Sequence, residues 1–205
     1  MSHTAPPRRR TQQERSDETR AKLLDATITS LHEAGYAATT TRRVAELAGV
    51  SQGAMTHHFP YRVDLIAAAV ERLAEQHIEA LDARLDALPP DPTGRLRTVL
   101  DALWDAFAGL PFDVFMKLWI AAAEDRELYE RLIPVERLLS RALAAFVAQV
   151  TGRPQVEARW TDALNLMRGT ALAWLFEPRA HRRRDPWPEL RAVIERMLLS
   201  PPAPP

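Results

Sequence analysis

Residues 39–60, TTTRRVAELAGVSQGAMTHHFP, constrain the fold more than any other part of the 205-residue chain. They hold two short helical segments, Thr41–Ala48 and Gln52–Phe59. A hydroxyl residue precedes each, Thr40 and Ser51, where a side-chain oxygen can accept from the unpaired backbone N–H groups of a first helical turn. Gly49 ends the first segment and Pro60 limits the second. Two such helices joined by a tight, glycine-containing turn make a helix-turn-helix, with a preceding helix as support. That support is expected at Asp17–Ala34, where acidic residues occupy the first turn. Its apolar side is Leu23, Leu24, Thr27, Ile28 and Leu31, and Gly35 supplies a stop. On the second helix the apolar set is Val44, Ala45, Leu47 and Ala48. On the third, Met55 and Phe59 lie four apart and are expected to face inward onto the first helix.

The rest of the chain reads as helix. Residues 61–88 carry Leu65, Ile66, Ala69, Leu73, Gln76, Ile78, Leu81, Leu85 and Leu88 at mostly three- and four-residue steps. At ~1.5 Å per residue this fourth helix would reach roughly 40 Å. Proline and glycine punctuation then delimits helices over 91–109, 111–123, 125–150 with a kink at Pro134, 155–177 and 186–199. Neither an alternating strand pattern nor an internal repeat is present. The expected fold class is all-α, with about nine helices. A flexible basic arm is expected over 1–16. A three-helix unit over 17–77 includes the start of the fourth helix, with the helix-turn-helix at about 40–59. A C-terminal helical domain over 78–199 and a disordered tail over 200–205 complete the chain.

Charge separates the two ends. The chain is neutral overall, with 27 basic and 27 acidic residues. Residues 1–62 nevertheless carry nine Arg and Lys against six Asp and Glu, and the remainder is correspondingly acidic. A basic end on an acidic body confines any nucleic-acid contact to the first third. There is no cysteine, which excludes disulfides, thiolate–zinc sites and cysteine nucleophiles and fits a reducing cytoplasm. No apolar run approaches the ~18 residues needed to span a bilayer, and MSHTAPPRRR is not a secretory signal. This N-terminal arm reads as an untidy terminus, or as an arm whose PPRRR reaches a phosphate backbone or minor groove.

The third helix has the residues of a groove probe. Gly53 and Ala54 keep its leading face slim enough for base edges, Gln52 can pair bidentately with adenine, and Thr56 and His57 can reach bases or phosphates. His58 lies off the inward face. Adjacent histidines on a helix point about 100° apart and so grip one metal ion poorly; zinc helices use an i, i+4 pair. No metal site and no cofactor are expected.

Residues Thr19 to Leu65 resemble the tetracycline-repressor (TetR) family of regulators. The resemblance rests on TRAKLLDATITSLHEAGY, on TTTRRVAELAGVSQGAMTHHF, and on the following Pro60, Arg62 and Leu65. It implies that Thr40 and Thr41 start the second helix near a DNA backbone, that Arg42 reaches a base or phosphate, and that Arg62 binds a phosphate. A solvated basic surface is the alternative for these arginines. The family usually has tyrosine where this chain has Thr56, and Tyr61 stands where it favours a small polar residue.

In the C-terminal half, helical spacing gathers Phe112, Phe115, Met116 and Trp119 on one side of the sixth helix, near Trp104 and Phe107. Such a stripe is either packed core or the lining of an apolar ligand cavity; the resemblance implies an effector site here. Asn165 and Arg168 are candidate polar groups for it, or else a surface or interface pair. The last two helices carry apolar faces, Trp160, Ala163, Met167, Ala171 and Trp174 on one and Leu190, Val193, Ile194 and Met197 on the other. The resemblance implies that they pair with their twins in a homodimer; the residues alone also permit burial within one chain.

An enzyme is not expected, since no phosphate loop, dinucleotide fingerprint, nucleophile elbow or HExxH motif appears. The reading is a cytoplasmic, ligand-responsive regulator, a repressor by family resemblance. It would bind a near-palindromic double-stranded operator as a dimer and answer to a small, largely apolar effector. The rival is a helical adaptor without sequence-specific DNA binding.

Overall fold

The computed structural model describes residues 11–82, 88–107, 109–154, 156–176 and 185–200. Among the described residues every regular element is a helix. The order is α1 (Gln12–Ala38), α2 (Thr41–Ala48), α3 (Gln52–His58), α4 (Arg62–Asp82), α5 (Pro92–Phe107), α6 (Leu110–Ala122), α7 (Arg126–Thr151), α8 (Val156–Phe176) and α9 (Trp187–Leu199). They gather into two compact units that divide between Val70 and Glu71.

In the first unit, α1 begins earlier than its acidic turn suggests. Thr11 accepts from the Glu14 N–H at 3.1 Å, and the Glu14 carboxylate accepts from the Thr11 N–H at 2.7 Å. This reciprocal capping box satisfies two unpaired donors, so residues 12–16 of the expected arm are helix. Residues 1–10 lie outside the described residues. Gly35 stops the first helical run, as expected: φ is 75° and ψ −179° there, a conformation that glycine tolerates, and a short further helical stretch carries α1 to Ala38.

Burial in this unit follows the expected stripes. Leu23, Leu24, Thr27, Ile28 and Leu31 are buried, as are Val44, Ala45, Met55 and Phe59. The Arg20 guanidinium lies over the Phe59 ring, which turns that ring toward α1. Leu47 departs from expectation and is exposed. An eight-residue helix has one inward side, and Val44 and Ala45 take it.

Helix α4 is described as far as Asp82. Leu85 lies outside the described residues, and Leu88 has left the helix. In the second unit, α5, α7, α8 and α9 share one core containing Leu96, Leu100, Val147, Trp160, Met167 and Ile194. Each such side chain contributes about 1.5–3 kcal/mol by leaving water. Trp104 stacks on Trp187 at 4.9 Å between centroids and lies near-parallel to Trp174 at 6.1 Å. A polar clasp ties α5 to α9: the Trp187 indole and the Arg191 guanidinium each donate to Asp101 at 2.6 Å. Arg97 donates twice to Glu195, at 2.9 and 3.0 Å. The hydrogen bond and then the charge of Glu195 raise the Arg97 pKa further above its usual value. Pro134 sits inside α7, which continues through it.

Candidate nucleic-acid interface and ligand cavity

The turn between α2 and α3 fixes how the reading helix is presented. Gly49 adopts the left-handed conformation, φ 66°, and its N–H caps the last turn of α2. Thr40 accepts from the Arg43 N–H at 3.2 Å and Ser51 from the Ala54 N–H at 3.2 Å, each capping its helix. With Met55 and Phe59 pinned inside, Gln52, Gly53, Thr56 and His57 are left together on the exposed side of α3. Ala54 and His58 flank them, half-buried, and the two histidine rings meet edge to face at 5.6 Å. Thr41 is half-buried within long reach of the Gln52 amide, at 3.5 Å, while Tyr61 beyond the helix is 66% exposed.

Gly53 has no internal reason to be glycine. Its backbone is helical, and an added Cβ would meet only the Ser51 hydroxyl, at 4.0 Å. Glycine in a helix costs roughly 0.5–1 kcal/mol relative to alanine. That cost makes sense where an outside surface must approach closely. Thr56 spends its hydroxyl proton on the Gln52 carbonyl at 3.0 Å, leaving acceptor capacity only.

The basic residues divide by function. Arg42 points outward and pairs with Glu46 of its own helix, at 3.2 Å. Arg43 turns back: its Nε donates to the Ser30 hydroxyl at 3.1 Å. Because the Thr39 hydroxyl donates to the Gly35 carbonyl at 2.8 Å, it can only accept from Ser30, 3.0 Å away. The proton order therefore runs from Arg43 through Ser30 and Thr39 to the carbonyl at the α1 break. Arg62 closes the same corner. Its Nε donates to the Thr39 carbonyl at 2.7 Å, its Nη2 donates to the Tyr36 carbonyl, and its guanidinium lies 4.0 Å from the Tyr36 ring centroid. Arg62, expected from the resemblance to bind a phosphate, here binds the C-terminal carbonyls of α1, where a cation is favoured.

In the second unit a cavity of about 340 Å³ opens among α5, α6, α7 and α8. Phe107, Phe112, Phe115, Met116 and Trp119 line it, as the aromatic stripe allows, and Asn165 and Arg168 supply polar groups. Trp104 does not reach it; the tryptophan stack holds that ring in the core. Two further lining residues, Glu136 and Ser140, come from α7. Sequence reasoning missed them, although they share the three- and four-residue step of Leu139 and Leu143. Glu136 accepts from Arg168 at 2.9 Å, and that guanidinium stands 4.9 Å from the Trp119 ring centroid.

Most residues expected at a dimer interface are consumed inside the chain. Trp160, Met167, Ala171 and Ile194 are buried, and Trp174, Leu190 and Met197 pack against the same core. Val193, 43% exposed, alone stays outward. The cause is that α8 meets both α7 and α9 within one chain, which takes up its bulky side.

A sequence model described as bacterial regulatory proteins of the tetR family matches residues 23–69, which contain α2, α3 and the start of α4. The chain is also similar to the HTH-type transcriptional regulator CymR of Pseudomonas putida, at 35% identity over 83% of this chain and 86% of that protein. The chain belongs to the TetR family. It is an HTH-type, DNA-binding transcriptional regulator and not an enzyme. TetR-type architecture extends past the reading head. A transcriptional regulator from Rhodococcus sp. Rha1 superposes with a TM-score of 0.62 at 26% identity, over 87% of this chain and 93% of that one. The multidrug binding protein EbrR, solved with imidazole, does so at 0.63 and 24% identity, over 90% and 97%.

Proposed function

We propose that this regulator is a repressor that binds a near-palindromic operator as a homodimer in the cytoplasm and releases it when a small, largely apolar effector enters the α5–α8 cavity. The observation that carries the proposal is a formed, mostly apolar cavity in one unit of a chain whose other unit presents a DNA-reading helix. Its volume falls in the range of small-molecule sites, and the structurally similar EbrR is described as a multidrug binding protein. Dimerisation follows from reach: one seven-residue helix contacts few bases, and a two-fold dimer doubles the reading with half-sites ~34 Å or a little more apart. Gln52 reads a base, Gly53 and Ala54 permit the approach, the Thr56 oxygen can accept from a base amino group, and Thr40, Thr41, Arg42, Ser51, His57, His58 and Tyr61 meet the surrounding backbone. Effector binding would act by favouring one pose of α4, which requires unequal affinity for the two poses.

Fluorescence anisotropy on DNA flanking the regulator's own gene, at several salt concentrations and against random DNA, tests the operator reading. Tight, salt-dependent and selective binding is expected. Binding that is absent, or equal on random DNA, would favour an adaptor. Trp119→Ala is expected to alter effector release while leaving operator affinity unchanged.

A further inference from the structure

The polar end of the cavity is balanced in charge. Glu136 and Arg168 supply one anion and one cation, 2.9 Å apart, with side chains only 18% and 25% exposed. Arg168 spends one N–H on Glu136 and lays its face toward Trp119; among the described residues its other donors have no acceptor. Ser140 and Asn165 add a hydroxyl and an amide to the same lining, and the rest is aromatic or aliphatic.

We propose that this site selects uncharged aromatic molecules carrying one hydrogen-bonding group, and discriminates against organic anions and cations of the same shape. The inference rests on the effector reading above and adds the ligand's charge class. A ligand carboxylate could reach Arg168 only beside the Glu136 carboxylate, leaving two anions on one cation within an apolar wall. A ligand ammonium would set two cations against Glu136. In either case a charge leaves water without its own counter-charge, which is costly where the lining is apolar. A hydroxyl or carbonyl instead takes the spare Arg168 donors, with Ser140 and Asn165 in reach, and leaves the ion pair closed. Its ring lies among Phe112, Phe115 and Trp119.

Isothermal titration calorimetry on the full chain at neutral pH, with 2-naphthol, 2-naphthoate and 2-naphthylmethylammonium, tests the proposal on matched skeletons. 2-Naphthol is expected to bind at least about tenfold more tightly than either ion, the scale of one unbalanced charge. In Glu136→Gln the cavity keeps a lone cation, and 2-naphthoate should gain about tenfold or more while 2-naphthol changes little. If 2-naphthoate or the ammonium matches or exceeds 2-naphthol on the unaltered protein, the charge selection is wrong and the cavity reading survives. If none of the three binds, the effector reading falls with it. The ranking on the unaltered protein decides the matter even if Glu136→Gln does not fold.

Discussion

Arg62 shows what one residue can hide. A cation at the start of α4 looks the same in sequence whether it meets a phosphate or a neighbouring helix end. Here two of its donors are spent on the carbonyls of Tyr36 and Thr39. Arg62→Ala is therefore expected to lower stability by about 2–4 kcal/mol in urea unfolding, since charge-assisted hydrogen bonds contribute roughly 1.5–3 kcal/mol each. The salt slope of DNA binding should stay at its original value; a fall of about 0.9 would place Arg62 on a phosphate after all. Gly53 is the converse case, with no internal demand for glycine. Gly53→Ala should raise stability by up to about 1 kcal/mol and weaken operator binding. A variant that is both more stable and equally tight would show that this face stays clear of the bases. Gln52, Thr56 and His57 were legible because inward Met55 and Phe59 leave a helix only one other side. Arg43, drawn back to Ser30 across thirteen residues, was not.

At the scale of elements, local signals read well and partners read poorly. The caps at Thr40 and Ser51, the left-handed Gly49 and the α2–α3 spacing follow from short-range chemistry. The capping box at Thr11 and Glu14 was equally local, but it lies beside an arginine-rich arm that drew the boundary too late. Helices α8 and α9 are different. Their apolar periodicity says that a face is buried, and it does not say against what. The structure turns Trp160 and Met167 into the chain's own core. Trp160→Ala should accordingly cost about 3–5 kcal/mol, read by thermal or urea unfolding at fixed protein concentration. The indole nitrogen of Trp160 has no hydrogen-bond partner among the described residues, so Trp160→Phe should cost much less. If Trp160→Ala dissociated a dimer with unchanged subunit stability, the core assignment would fail.

At the scale of the whole molecule, two units divide the work. One offers a small, basic reading head, and the other a larger core enclosing a cavity. Among the described residues, large apolar side chains left exposed on the last two helices are Leu166 of α8, 41% exposed, and Val193 of α9. With the bulky faces used up, a homodimer through these helices would draw on them. Leu166→Glu combined with Val193→Glu should then give monomers in sedimentation velocity without loss of helical signal, and weaken operator binding steeply. An unchanged sedimentation coefficient would move the dimer face elsewhere. In the proposed function, operator reading depends on the placement of the exposed face of α3 in the major groove, twice per operator. Dimethyl sulfate footprinting at guanine N7 on the regulator's own upstream DNA addresses it most directly. Protection should appear in two major-groove segments about one helical turn or a little more apart. Protection confined to a single segment, or no protection at guanine N7, would show that α3 does not enter two successive major grooves.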